Sequence, residues 1–478
     1  MPTLSSPSAA AASRPFAELT PQRLSALREA VGEDSVAVDE NTLERCAQDY
    51  TEDLVFRPAA VLLPSTVEQV QSALRFATEH HLPVTPRGAG TGLSGGALPV
   101  HGGLVLSVQR LNRIRGIDTR NLTAEAEAGV ITGDLQRAAA QHGLYYPPDP
   151  GSVDSCLLGG NLAEDSAGPR SCRHGSTRRW VLGLEAVLAD GRLLRTGGAN
   201  RKDVAGYNLT QLLVGSEGTL AVITAATLRL IHQPAATLTV AAPFPTLESA
   251  ADAVAAIFRE GFDPAACEML EEGALAIVER SLRVPEALSG QAAVLLLELT
   301  GSDDDDCLAQ AEGLDELLTK LGAGTLLAAS EPRDQERLWQ VRRHIGEAVT
   351  EYSVFKEVDC VAPRSQLAHL VRAARAAGAQ HGLEVLCFGH AGDGNLHVNL
   401  LRGDLDEATW ERRRDAAEAQ LLEAVVAAGG SVTGEHGIGW TQRPYLELSV
   451  GATAVDIMKG LKTVFDPAGI LNPSKIFP

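Results

Sequence analysis

The sequence has no apolar run approaching the ~18 residues of a bilayer-crossing helix, so no membrane span is expected. It also lacks a positive excess: 41 Lys and Arg face 61 Asp and Glu, a formal net charge of −20. Nucleic acid is thereby excluded as a partner, because phosphate binding needs clustered basic groups to release counterions. The seven cysteines, Cys46, Cys156, Cys172, Cys267, Cys307, Cys360 and Cys387, are scattered and never in a CxxC spacing. That excludes a zinc ribbon, a thioredoxin-like motif and a ferredoxin-type cluster, and suits a reduced, cytoplasmic setting. Any redox chemistry must therefore borrow a cofactor. Met1 to Phe16 is rich in Ala and Ser, without a basic n-region or a Leu-rich stretch. Residues 1–20 are expected to be a disordered tail, not a signal peptide. No internal repeat is present.

What is there is the balance of a globular protein, 45% hydrophobic and 21% charged over 478 residues, long enough for two or three domains. LSALREAV spaces its apolar residues as a helix does, and PAAVLLPS reads as a strand. TVEQVQSALRFATEHHL predicts an amphipathic helix opened by Thr66, with Glu68 in its first turn. LPVTPRG reads as a strand running into a glycine-rich loop. Short β-type runs follow (GLVLSV, WVLGLEAVLAD, TLAVITAATLRL). After Gln233 and Pro234 the pattern changes. Strand-like TLTVAAPF, AVLLLEL and VLCFGHA alternate with helical SAADAVAAIFRE and LAHLVRAARAAGAQHG, the α+β pattern of a separate domain. Asp303 to Asp306 reads as a solvated loop or a helix N-terminus. DPAGILNPSKIF reads as a turn-rich tail with apolar anchors, docked rather than loose.

Gly90, Gly92 and Gly95 satisfy GxGxxG, but the chain continues SGGALPVHGGLVLSV, where no helix is expected to open. A Rossmann site needs that helix, so the match is rejected. PRGAGTGLSGG still offers many backbone N–H groups with little side chain in the way, either as a nest for a diphosphate or as an ordinary surface loop. PPDPGS, GGNLAEDSAG and GSEGTLAVIT add glycines beside small hydroxyl and amide side chains, and as loops they suit a flat polar cofactor.

Together PRGAGTGLSGG, YYPPDPGS, GGNLAEDSAG, HGSTRRWVLGLEAVLADG, GYNLTQLLVGSEGTLAVIT and FDPAGILNPSKIF resemble FAD-linked oxidases of the vanillyl-alcohol oxidase type. Among these the chain is similar to the group of glycolate oxidase FAD subunits, D-lactate dehydrogenases and D-2-hydroxyglutarate dehydrogenases. The resemblance runs in order from about Pro58 to Phe477. It implies an α+β fold with a two-part FAD-binding domain over 21–235 and an α+β substrate (cap) domain with a metal site over 236–450. A C-terminal segment, 451–478, would dock on the FAD domain and return to the flavin. By the same resemblance Pro86, Arg87, Gly88, Ala89, Gly90, Thr91 and Ser94, with Gly92 in the same loop, would cradle the pyrophosphate. Pro148, Ser152, Gly160, Asn161, Ser166, Gly168 and Ile223 would line the rest of the FAD, and Asn472 would approach the flavin. The first glycine loop has no His, so the FAD should be noncovalent. Ser474 stands where the family usually has Gly, with little effect expected.

In FGHAGDGNLHVNLL, His390 and His397 flank a Gly-Asp-Gly-Asn turn that would fold the two imidazoles toward one another. Asn399 lies two residues beyond His397 and so on the same strand face. TGEHGIG presents Glu435 and His436 between glycines. Two imidazoles and a carboxylate with an open position suit Zn²⁺ or Mn²⁺; taken singly, each His reads more readily as a surface or core residue. The resemblance makes His390, His397 and Glu435 the metal ligands and His436 the general base. It makes Arg342 the contact for the substrate carboxylate and Lys356 the counterpart of a lysine in the 2-hydroxyglutarate type. Arg342 and Lys356 are otherwise readable as structural ion pairs. A Thr of that type is replaced by Gly346, which puts a dicarboxylate substrate in doubt.

The expectation is an FAD-dependent dehydrogenase of a small D-2-hydroxy acid such as D-lactate or glycolate. The alternatives are a D-2-hydroxyglutarate-type enzyme, a flavin-binding subunit of a multi-subunit glycolate oxidase, and a flavin-free metal hydrolase. An external electron acceptor is required: a quinone, a cytochrome, an electron-transfer flavoprotein or an Fe–S subunit. Such a partner could hold the protein at a membrane surface, and a homodimer is left open.

Overall fold

The computed structural model describes residues 16–286 and 288–478. The expected tail over 1–20 falls mostly outside them, and its described end is packed: Phe16, Ala17 and Leu19 rest on a hydrophobic core. The chain divides into two compact units. The first takes the described residues up to Ala167, then Ser176–Gln233 and Glu435–Pro478; the second takes Gly168–Gly175 and Pro234–Gly434. The division thus falls after Gly434, earlier than the expected 450. Gly168–Gly175 joins the second unit through its own bonds: Arg170 pairs with Glu298 at 2.7 Å, and the Cys172 thiol meets the carbonyls of Pro264 and Ala265.

The first unit holds two main sheets. One runs in the order Val36–Ala37, Ala60–Leu62, Leu104–Ser107, Val84–Arg87, its last three strands mutually parallel. The helix Val67–His80 covers it, opened by Thr66, whose hydroxyl accepts the Gln69 N–H, and closed by left-handed His81. Val70, Ala73, Leu74, Phe76 and Ala77 are its buried face. Val70, Leu74 and Phe76 contribute roughly 1.5–3 kcal/mol each, more than the ~1 kcal/mol of the cap, so Leu74→Ala is the change that would most weaken its packing. The second sheet is antiparallel, in the order Ile114–Asp118, Thr123–Glu127, Val222–Arg229, Val181–Val187, Leu193–Gly197. The tail docks beside Val84, whose N–H donates to Ile470 O at 2.8 Å while Asn472 N–H donates to Val84 O at 2.7 Å. Ile470 and Leu471 are fully buried there.

The second unit is built on a seven-stranded antiparallel sheet in the order Leu327–Ala329, Ala236–Phe244, Ala293–Gly301, Ala266–Glu271, Glu384–Gly389, Asn395–Leu401, Phe355–Val361. Its interior strand Ala293–Gly301 reads AVLLLEL because both faces are covered. Val294 and Leu296 enter a core with the helices Glu272–Val278 and Pro332–Tyr352. Leu295 and Leu297 point the other way, where Leu247–Arg259 and Leu367–His381 pack. The acidic run opens the helix Asp304–Lys320, with Asp303 as its N-cap.

Candidate functional site

In the second unit the strand Glu384–Gly389 turns through Ala391–Asp393 into the strand Asn395–Leu401. Asp393 and Asn395 N–H both donate to the His390 carbonyl, which closes the turn. Gly394 sits at φ +74°, where a Cβ would lie 2.0 Å from Ala362 O, so only glycine fits. The turn brings the rings of His390 and His397 to a centroid separation of 5.2 Å, nearly perpendicular. Each offers a ring nitrogen within 4.8 Å of the other, and both residues are buried.

The register decides which side chains share their face. Asp359 lies opposite His397 and Glu357 opposite Asn399 across one strand pair. Phe388 lies opposite His397 across the other. That face is covered by the helix Pro332–Tyr352. Arg342 on this helix is buried, its guanidinium 5.2 Å from the Phe388 ring. Asn399 is fully buried, and neither polar atom of its amide has a hydrogen-bond partner among the described residues. A buried amide left unsatisfied by protein costs roughly 1–3 kcal/mol, so a polar ligand is its natural complement. Lys356 lies opposite Leu400 and therefore points to the other face, its Nζ 3.9 Å from Glu418. The register therefore does not bring the expected contact at Lys356 to the His397 face; its neighbour Glu357 lies there, with Oε1 3.7 Å from His397 Nδ1.

Glu268, which the sequence reading passed over, is fully buried on the strand Ala266–Glu271. Its Oε1 lies 2.8 Å from His390 Nδ1, and its Oε2 accepts Arg342 Nε–H at 2.6 Å. Burial pushes its carboxyl up, but His390 and the Arg342 guanidinium beside it bring it below the ordinary range. Asp359 accepts Thr433 Oγ1–H and Gly434 N–H on one oxygen, at 2.9 and 2.7 Å. The next residues, Glu435 and His436, begin the last segment of the first unit, with His436 Nε2 3.9 Å from Glu435 Oε1.

In the first unit Pro86 and Arg87 end a parallel strand, and no helix follows before Leu104. Gly88 backs onto Gly160, where a Cβ would lie 3.3 Å from its backbone. GGNLAEDSAG, expected as a loop, is in part a helix, Leu158–Glu164. Its glycines serve packing: a Cβ on Gly159 would meet the Ala128 Cβ at 2.8 Å. Asn161 is buried, its amide donating to Thr132 Oγ1 at 2.6 Å. Pro148 O accepts the Gln136 amide at 2.8 Å, and Ser152 O accepts the Cys156 N–H at 2.7 Å. Ser166 Oγ meets Thr177 Oγ1 at 3.4 Å, and Ile223 is buried in the second sheet. Ala89, Thr91 and Gly92 lie along the same helix-free loop. Gly168 begins the segment Gly168–Gly175 that belongs to the second unit.

Three more side chains, absent from the sequence reading, gather at this loop. Glu217, at φ +51°, accepts Ile438 N–H at 2.9 Å and Gly439 N–H at 2.7 Å. Lys475 donates to Leu98 O at 2.5 Å, and burial brings its pKa down to about 7. Glu164 is pushed well up, by burial first and then by Glu217. Asn472, also left-handed, donates its amide to Gly96 O and Glu217 O at 3.0 and 2.7 Å. Ser474 is held at φ +61°, which explains the usual glycine, and His101 bonds its hydroxyl at 2.7 Å. Arg87 Nη1, Ser94 Oγ and Tyr146 OH are buried without a hydrogen-bond partner among the described residues. Buried polar atoms left without a protein partner, in a unit with so much glycine-rich backbone, suit a polar, phosphate-bearing cofactor.

The motifs agree with comparisons to known proteins. Residues 58–197 match an FAD binding domain, and residues 233–476 match the family described as FAD linked oxidases, C-terminal domain. The chain is 38% identical over 430 residues to the glycolate oxidase subunit GlcD of Bacillus subtilis, covering 90% of this chain and 91% of the relative. It is 39% identical over 432 residues to a D-lactate dehydrogenase of Archaeoglobus fulgidus, covering 90% and 94%. A D-2-hydroxyglutarate dehydrogenase of Stutzerimonas stutzeri is 32% identical over 470 residues, covering 96% and 99%. Among solved structures, the 4-ethylphenol oxidase of Gulosibacter chungangensis superposes with a TM-score of 0.76 at 21% identity, covering 96% and 97%.

Proposed function

We propose, for a chain that belongs to the FAD-linked oxidase family, that it oxidises a small D-2-hydroxy acid to the 2-oxo acid with the help of a divalent cation. The observation that carries this reading is the buried face shared by His390, His397, Arg342 and the unsatisfied amide of Asn399. A site for a neutral apolar substrate would have no use for it. His390 and His397, with Glu435, would hold Zn²⁺ or Mn²⁺; a pair of imidazoles and one carboxylate is a donor set both metals accept. Arg342 spends its Nε on Glu268, leaving its terminal nitrogens for the substrate carboxylate. Asn399 would hydrogen-bond the substrate oxygens.

Bound FAD supplies the two-electron acceptor, and a bound divalent cation supplies positive charge for the substrate's oxygens. His436 takes the hydroxyl proton as C2 gives up its hydride, so the alcohol loses two electrons and two hydrogens and leaves as the 2-oxo acid. The trough of Pro86–Ser94, with Gly160, Asn161 and Asn472, would hold the FAD noncovalently. Electrons then pass to an external acceptor: a quinone, a cytochrome, an electron-transfer flavoprotein or an Fe–S subunit. Among the described residues no helix is long and apolar enough to cross a membrane.

A monocarboxylate is favoured over a 2-hydroxyglutarate-type substrate for two reasons. Gly346 carries no side chain, so that position supplies no hydrogen bond to a second carboxylate. On the His397 face the strand presents Glu357, 3.7 Å from His397 Nδ1 and like-charged to a second substrate carboxylate, rather than Lys356. Anaerobic bleaching of the purified yellow protein by a panel of D- and L-2-hydroxy acids tests the reading. D-lactate or glycolate should bleach it; a protein without flavin, or one bleached by none of the panel, would refute it.

A further inference from the structure

We infer that Glu268 is a positioning residue that sets both the metal-binding nitrogen of His390 and the orientation of Arg342. The inference rests on the proposed site and deepens it. The two oxygens of one carboxylate are divided between two functional side chains, Oε1 to His390 Nδ1 at 2.8 Å and Oε2 to Arg342 Nε at 2.6 Å. An acceptor at Nδ1 keeps the proton on that nitrogen, which leaves the Nε2 lone pair as the ligand atom. The bond at Arg342 Nε fixes the plane of the guanidinium, so its terminal nitrogens face one direction. The carboxylate cannot move toward one partner without lengthening its bond to the other. A cation on His390 and a carboxylate on Arg342 are therefore held in one mutual register.

The backbone under Glu268 is suited to this role. Its strand is bonded on both sides, to Ala293–Gly301 and to Glu384–Gly389, the strand that leads into His390. Glu268 is fully buried. Structural ion pairs usually join groups with no further task, whereas here both partners are assigned to ligands. Removing Glu268 should thus disturb two bindings that a loss of rigidity alone would not move together.

The test compares wild-type holoenzyme with Glu268→Gln and Glu268→Asp, with flavin content and near-ultraviolet circular dichroism as checks on folding. Zn²⁺ and Mn²⁺ affinity is read by chelator competition, and oxalate, a non-oxidisable anion, by perturbation of the flavin spectrum. Glu268→Gln should weaken the metal about 10- to 100-fold, the range found when such supporting carboxylates are lost. It should also weaken oxalate about tenfold in metal-saturated protein, with Glu268→Asp intermediate in both. Should the Gln variant not fold, the Asp variant carries the same comparison, with a smaller loss expected in both affinities. Unchanged metal and oxalate affinities in a folded variant overturn the inference. A wild-type protein that binds neither metal overturns the metal site itself, a different result, and the oxalate comparison in metal-free protein then decides the Arg342 half.

Discussion

Glu217→Gln is the most demanding perturbation of the cofactor unit. Glu217 accepts two consecutive N–H groups, from Ile438 and Gly439, just beyond His436, and both bonds are buried. Glutamine keeps one oxygen and turns an NH₂ toward the other N–H, so one hydrogen bond is lost and two donors face each other. A buried donor left unsatisfied costs about 1–3 kcal/mol. For a unit of this size about 2 kcal/mol corresponds to a fall in Tm of roughly 4–8 °C. The loop from Glu435 to Gly439 would relax by a fraction of an ångström, and misplacement of a catalytic base by ~1 Å costs on the order of 100-fold. We expect kcat for the best hydroxy acid to fall about 10- to 100-fold, with KM within about twofold, since the carboxylate contact at Arg342 is untouched. Stopped-flow flavin reduction and thermal denaturation of the holoenzyme measure both. A variant that melts and reduces its flavin like wild type would refute the reasoning.

Other expectations are simpler. His436→Ala should abolish flavin reduction by substrate while leaving the bound-flavin spectrum intact; normal turnover would remove its role as base. Lys356→Met should leave KM for a monocarboxylate within about twofold, because Lys356 points to the far face of the sheet; a large rise in KM would contradict the register. Burial pushes the Glu271 carboxyl up to about 7. Between its ordinary range and pH 7 the folded state then keeps a proton that the unfolded chain has released, so stability is fullest at low pH and falls as pH rises through that window. Glu271→Gln should flatten this loss and raise Tm relative to wild type at pH 8 but not at pH 5; parallel pH profiles would argue against it.

Local features were legible from the sequence. Thr66 with Glu68 marked a helix start, and the absence of a helix after PRGAGTGLSGG followed from Pro99 and the crowded glycines. The imidazole pair was readable because strand, turn and strand are contiguous in FGHAGDGNLHVNLL. What stayed hidden depends on distance or on parity. Glu268 lies far from both His390 and Arg342 in the sequence, and nothing in ACEMLEEG separates it from Glu271, which faces the opposite side. Lys356 and Glu357 differ by one residue, and a one-residue step in a strand exchanges its faces. GGNLAEDSAG passed for a loop because glycines count against a helix, yet Gly159 is needed for contact with Ala128. Glu217 could have been noticed as a lone carboxylate between glycines, although no pattern names its partners.

The tail threaded beside Val84 has a consequence for how the protein is made. Asn472 closes onto Gly96, a partner synthesised 376 residues earlier, and Ile470 and Leu471 fill a core that the first sheet cannot complete alone. During translation this core is expected to close only after the whole second unit has emerged from the ribosome. Loading with FAD is therefore a late event, and a nascent chain interrupted before Ile470 would leave the ribosome as a colourless apoprotein with exposed apolar surface.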